Sequence, residues 1–177
     1  WPPYYRAGVK AAEDWLLAFA AEQFRHAREE FERCKSAPGI DGLGAEGSRL
    51  KLLLALCEAC FDSGKPDEAL KCAEEVVALT VDGFARQRAQ ALEFAAKIAQ
   101  VKSRFDDAIA HAERSAAQFE KAADAAGVAR MLLFKARMMA HIGQNQAGLE
   151  LLQCVTLNGA AAETLMDFHL TRASLLS

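Results

Sequence analysis

Proline is scarce in this sequence. Four prolines occur among 177 residues, so long stretches carry nothing that breaks a helix. Long apolar runs are missing as well. None approaches the roughly 20 residues that a helix needs to cross a bilayer, so no membrane insertion is expected. Neither sign of charge dominates, with 21 Lys and Arg against 24 Asp and Glu. Nucleic acid, whose phosphates call for a basic face, is therefore not an expected partner. Five cysteines without a regular framework suit the cytoplasm or another reducing compartment better than a disulfide scaffold. The chain opens at Trp1 with no methionine and no signal peptide, and reads as a fragment of a larger protein or a processed product.

Catalytic motifs are missing too. His26, His111, His141 and His169 stand far apart, and no two have metal-ligand spacing. No Ser-His-Asp set, HExxH motif or phosphate loop occurs, and the glycine-rich stretch 36–47 lacks the Gly-Lys-Ser/Thr ending. Neither enzymatic activity nor a cofactor is expected. The nearest approach to a metal or redox site is the Cys57-x-x-Cys60 pair, because residues three apart share a helix face. Cys72 on the next helix is the one thiol placed to join them. Packing of these thiols as small apolar fillers is the competing and preferred reading.

What the sequence does have is helix. Alanine, leucine, glutamate, lysine and arginine dominate, all good helix formers. Residues 1–5 read as extended, because two prolines restrict themselves and their predecessors. Residues 9–35 read as one long helix. Trp15, Leu16, Phe19, Phe24, Ala27 and Phe31 recur at threes and fours on one face, with Glu22, Arg25, Glu29, Glu32 and Arg33 on a solvated face. Residues 36–47, with four glycines and a proline, read as a loop.

Residues 49–79 then set a pattern of apolar helix, tight turn and second helix, and two weaker copies follow. Aligned on Ser63 and Gly64, Lys102 and Ser103, and Ile142 and Gly143, the segments 54–60, 93–99 and 133–139 match, and 170–176 makes a fourth. Each carries a small residue at one place, namely Cys57, Ala96, Ala136 and Ala173. The second helices align through Ala69, Ala73 and Val76, then Ala108, Ala112 and Ser115, then Gly148, Leu152 and Val155. A period of about forty residues is a solenoid signature. Small residues let the helices of a hairpin approach closely, and each hairpin must stack on a neighbour to bury its remaining apolar face.

The pattern resembles the tetratricopeptide repeat (TPR), with its small residue in the first helix and alanine-led second helix. Residues 65–70 and 104–109 look like the family's second-helix opening. The first-helix tryptophan and the closing proline of the family are absent, and Cys60, Ala99 and Met139 stand where it has an aromatic residue. Longer variants of the family and related helical-pair solenoids fit these departures. The resemblance runs from about residue 49 to the end and implies an all-α fold, a right-handed superhelix of about eight helices in stacked antiparallel hairpins. Residues 1–47 would then be a long capping helix and loop. Residues 48–177 would be three hairpins and an unpaired last helix, one continuous solenoid. That last helix, 160–177, shows Leu165, Phe168, Leu170, Leu175 and Leu176, so continuation of the chain or docking of a partner is expected there.

The resemblance also implies a function, the holding of a partner helix or peptide in a concave groove lined by the first helices. Lys51, Leu54, Glu58 and Phe61 would line it, followed by Gln90, Glu93, Phe94 and Lys97. Arg130, Leu133, Phe134 and Arg137 would come next, then Leu170 and Ser174. Phe94 and Phe134 fall at equivalent places, as do Lys97 and Arg137. An apolar stripe beside a basic one suits an amphipathic segment with acidic flanks. The competing reading puts both phenylalanines in the core between repeats and both cations on a solvated rim. Two other functions stay open, a structural segment of a larger chain or assembly and, more remotely, the cysteine-based metal or redox site.

Overall fold

The structure is a computed structural model that describes residues 2–35, 43–80, 83–155 and 162–176. Among the described residues there are nine α-helices and no strand. They are α1 (Pro2–Glu13), α2 (Leu17–Lys35), α3 (Leu43–Asp62), α4 (Pro66–Leu79), α5 (Ala85–Val101), α6 (Phe105–Lys121), α7 (Ala125–His141), α8 (Asn145–Gln153) and α9 (Ala162–Leu176). The chain divides into two compact units, Trp1–Thr80 and Val81–Ser177.

One turn recurs in both units. In the first unit Leu16 N–H donates to the Ala11 carbonyl at 2.8 Å, and Lys65 N–H to the Cys60 carbonyl at 2.8 Å. In the second, Arg104, Asp124 and Gln144 donate in the same way to Ala99, Phe119 and Met139, at 2.8, 2.9 and 2.9 Å. Each bond reaches back five residues and closes the last turn of a helix, as in a Schellman cap. The residue before each donor lies in the left-handed region. It is Trp15 (φ 59°), Gly64 (76°), Ser103 (56°), Ala123 (54°) and Gly143 (74°) in turn. The alignment of the sequence repeats on 63–64, 102–103 and 142–143 therefore coincides with a shared backbone device.

In the first unit α1 packs on α2, α2 on α3 and α3 on α4. Gly8 meets the Phe24 ring so closely that a Cβ there would lie 2.6 Å from it. Leu52, Leu53, Leu56, Ala69, Ala73 and Val76 are buried as expected, and Val77 is only half-buried. Arg49 and Glu75 tie three helices at their edge. Arg49 pairs with Glu32 of α2 and Glu75 of α4, each at 3.0 Å, and Arg28 of α2 reaches Glu75 at 2.7 Å. Arg25 also reaches Glu68 of α4, at 3.4 Å. The polar face of α2 thus contributes ion pairs to its neighbours rather than facing water alone.

In the second unit α5 packs on α6, α6 on α7, and α7 on both α8 and α9. The α5–α6–α7 core is built on Ala89, Ala96, Ala99, Ala108, Ala112 and Phe119, closed by Met131, Phe134 and Met138 of α7. Alanine at these places brings the helices close enough for the buried Ser115 hydroxyl of α6 to donate to the Ala89 carbonyl of α5 at 2.8 Å. Leu133, Ala136, Leu152, Val155 and Leu175 form a second cluster joining α7, α8 and α9.

Three expectations need correction. Residues from Pro2 onward are helical rather than extended, because prolines fit the first turn of a helix, where N–H groups have no partner within it. Residues 9–35 are not one helix. The chain turns at Asp14–Leu16, so the N-terminal segment is a hairpin of α1 and α2 rather than a single capping helix. The stretch from Leu43 to Gly47, read as loop, is the first part of α3, which runs across the boundary placed at 47/48. The rest of that loop, 36–42, lies outside the described residues.

Candidate functional site

The residues expected to line a groove fall in both units. In the first, α3 carries Lys51 and Glu58 exposed, with Leu54 and Phe61 half-buried. In the second, Gln90, Arg130, Leu170 and Ser174 are exposed, while Phe94, Lys97 and Arg137 are half-buried. Leu133 and Phe134 are core, at 4% and 5% exposure, and offer little to a partner. Phe134 packs in the α5–α6–α7 cluster, which is the competing reading of that residue.

The basic stripe is largely engaged within the chain. Glu93, 8% exposed, sits between α5 and α7. Arg130 grips it with Nε at 3.2 Å and Nη2 at 2.9 Å, and Lys97 Nζ adds a contact at 2.9 Å. Burial alone pushes the Glu93 carboxyl up, but the Arg130 hydrogen bonds and the Lys97 charge outweigh it and hold its pKa below the usual value. Lys97 and Arg137 lie over Phe94 and Phe134 of their own helices, at 5.4 and 5.5 Å from the ring centres. Arg137 differs from its neighbours, since its buried Nε has no hydrogen-bond partner among the described residues.

A second concave place went unread in the sequence. Between α1 and α3 lies a cavity of about 430 Å³. Val9, Ala12, Leu17, Ala55 and Ala59 give it an apolar floor, and Glu13, Glu58 and Asp62 bring carboxylates to it. Trp15 stands beside it on the α1–α2 turn, 83% exposed. Leu16 and Phe19 next to the turn are exposed as well. The helix periodicity had placed Trp15 on a buried face, and the Asp14-Trp15 turn has no glycine, proline or asparagine to announce it. Two further cavities belong to the second unit. One, of about 510 Å³, lies at the start of α5 beside Arg86, Arg88 and Lys121. The other, of about 380 Å³, lies between α8 and α9 beside Leu149 and Phe168.

Three of the five cysteines pack inside the first unit. Cys57, Cys60 and Cys72 are buried. Cys57 Sγ donates to the Ala69 carbonyl at 3.3 Å, and Cys60 Sγ to Glu68 Oε2 at 3.8 Å. Burial pushes the Cys57 thiol far up and Cys72 up to about 11, and burial followed by the Glu68 charge raises Cys60. Among the described residues no group of three or more His, Cys, Asp or Glu is placed to hold a metal ion. No described helix is long and apolar enough to cross a membrane.

Consecutive hairpins that share one closing turn, with small residues at their seams, define a TPR-like helical-repeat fold. Solved structures carry the same architecture. The chain matches a crystal structure of the nearly identical TPR-like repeats of a putative kinesin light chain from Podosopora anserina. The TM-score is 0.68 at 19% identity, over 98% of this chain and 93% of that one. A single-residue variant of the same protein matches with a TM-score of 0.67 at 17% identity and the same coverage. No protein-family model and no curated protein matches the sequence.

Proposed function

We propose that this chain is a protein-interaction module that takes a segment of a partner protein against the first helices of its hairpins. TPR-like and other solenoid repeats work through extended concave surfaces rather than through bond-making chemistry. The observation that carries the reading is the cavity between α1 and α3. It combines an apolar floor, a polar edge and an exposed tryptophan, and its volume lies in the ordinary range of ligand pockets.

The acid-flanked amphipathic partner suggested by Lys97 and Arg137 meets a weaker anchor at Lys97, because Glu93 already pairs with it as well as with Arg130. Arg137 remains. A scaffold role is the second reading. It is favoured by Leu165, Met166, Leu170 and Leu176, which α9 leaves exposed.

A photo-crosslinking amino acid at Ala55, on the cavity floor, tests the proposal. Partner protein should be captured from Ala55 and not from Arg114, which is exposed on α6. Equal capture at both places, or none at Ala55, would remove the α1–α3 face from the account.

A further inference from the structure

We infer that the α1–α3 cavity receives a cationic, apolar-cored segment of a partner protein. An arginine of that segment lies over the Trp15 indole with its charge toward Glu13, Glu58 and Asp62, and a neighbouring aliphatic side chain rests between Val9 and Ala55. The inference rests on the proposal that this cavity is a partner site, and adds the sign and shape of the occupant.

Trp15 is the first ground. The other turns of this type hold Gly64, Ser103, Ala123 and Gly143 at the same place, so the turn itself has no need of a large side chain. A bulky residue in the left-handed region is strained. At 83% exposure it recovers little of that cost by burial. An outlier of this kind that the fold does not reward points to a role outside the fold. Tryptophan is also the best aromatic face for a guanidinium.

Charge is the second ground. Among the described residues three carboxylates line the cavity, and no lysine, arginine or histidine does. Glu13 and Asp62 form no ion pair among the described residues. Lys51 stands over the Tyr5 ring at 5.4 Å, and Lys10, near Glu13, is already paired with Asp14 at 2.9 Å, so Glu13 and Asp62 together leave negative charge in excess. An apolar surface edged by like charges selects a partner that brings both an aliphatic side chain and the opposite charge. The volume suits one or two side chains of an extended segment rather than a whole helix.

The test uses the full chain carrying Trp1→Phe, so that Trp15 is the sole tryptophan. Its emission is followed during titration with a synthetic peptide centred on Arg-Leu-Arg, and with counterparts in which Glu or Gln replaces both arginines. The Arg peptide should shift the emission, bind more weakly as salt rises, and lose roughly tenfold in affinity with Glu58→Gln combined with Asp62→Asn. Trp15→Gly, which suits the turn torsion and so keeps the fold, should weaken Arg-peptide binding to a similar degree. Binding of that variant is read by calorimetry. If the Glu or Gln peptide binds as tightly as the Arg peptide, the cationic inference is overturned while the cavity stays a partner site. If Ala55 captures a partner and the Arg peptide leaves Trp15 unmoved, the cationic inference again fails alone. If Ala55 captures nothing and no peptide moves Trp15, both readings fall together.

Discussion

Replacing Glu93 with glutamine should loosen the junction of α5 and α7 more than any exposed ion pair in the chain would suggest. The carboxylate accepts two hydrogen bonds from Arg130 and one contact from Lys97, all between 2.9 and 3.2 Å. Breaking a fully buried pair costs about 3–5 kcal/mol, because a charge is left stranded. Here the stranded charges would be those of Arg130 and Lys97, whose side chains are 49% and 38% exposed and can turn to water. The expected loss is therefore reduced to about 2 kcal/mol. Glu93→Leu should cost at least as much as Glu93→Gln, since it leaves both cations without an acceptor, whereas the glutamine amide oxygen can still accept one bond from Arg130. Urea unfolding at neutral pH reads the loss as a lower midpoint at unchanged slope. The pH dependence has a defined sign. Glu93 titrates lower in the fold than in the unfolded chain. Its stabilisation is thus present above the unfolded carboxylate's pKa and lost as pH falls through the folded value, so wild type and Glu93→Gln should converge in acid. A loss below about 0.5 kcal/mol, or a double-mutant cycle with Arg130→Met that shows no coupling, would refute the clamp. The clamp also makes Lys97→Glu a poor probe of partner binding, since it would set a second carboxylate beside Glu93. Arg137→Gln is the cleaner change.

Other expectations concern turns, seams and thiols. Ala123→Gly should stabilise the second unit by up to about 1 kcal/mol, because glycine accepts the left-handed torsion of the α6–α7 turn without strain; an unchanged or lower midpoint would contradict this. Gly127→Ala should destabilise by about 1–3 kcal/mol, since its Cβ would fall 2.5 Å from the Phe119 ring. Asp124→Ala should cost about 1 kcal/mol by removing the cap that accepts from Gly127 N–H at 3.0 Å. Under native alkylation followed by mass spectrometry, exposed Cys154 should react while Cys57, Cys60 and Cys72 stay protected. Modification of Cys57 at the rate of Cys154 would count against the packed reading.

The seams were legible in the sequence because they obey a simple period. Alanines at 89, 96, 108 and 112 fall at helical spacings, and all four are fully buried. The turns at Gly64 and Gly143 were legible because glycine signals them. The turn at Trp15 was not, since a tryptophan at helical spacing reads as core, and only the backbone torsion shows otherwise. That one misreading turned a hairpin into a single helix and hid the α1–α3 cavity. The electrostatics of the candidate surface were half legible. Lys97 and Arg137 do occupy equivalent places over Phe94 and Phe134. What the sequence could not show is that Glu93, one turn before Lys97, bends inward to hold cations from two helices.

The recurring turn also bears on how such a chain is recognised at all. Its left-handed position is filled by tryptophan, glycine, serine, alanine and glycine in succession, while the hydrogen bond it enforces varies by only about a tenth of an ångström, from 2.8 to 2.9 Å. The repeat is thus spelled in torsion angles and side-chain volumes, with much freedom left to the letters. The residue differs at nearly every recurrence, whereas the backbone takes the same shape each time. Where the message is written in geometry, the letters can change and leave the architecture standing.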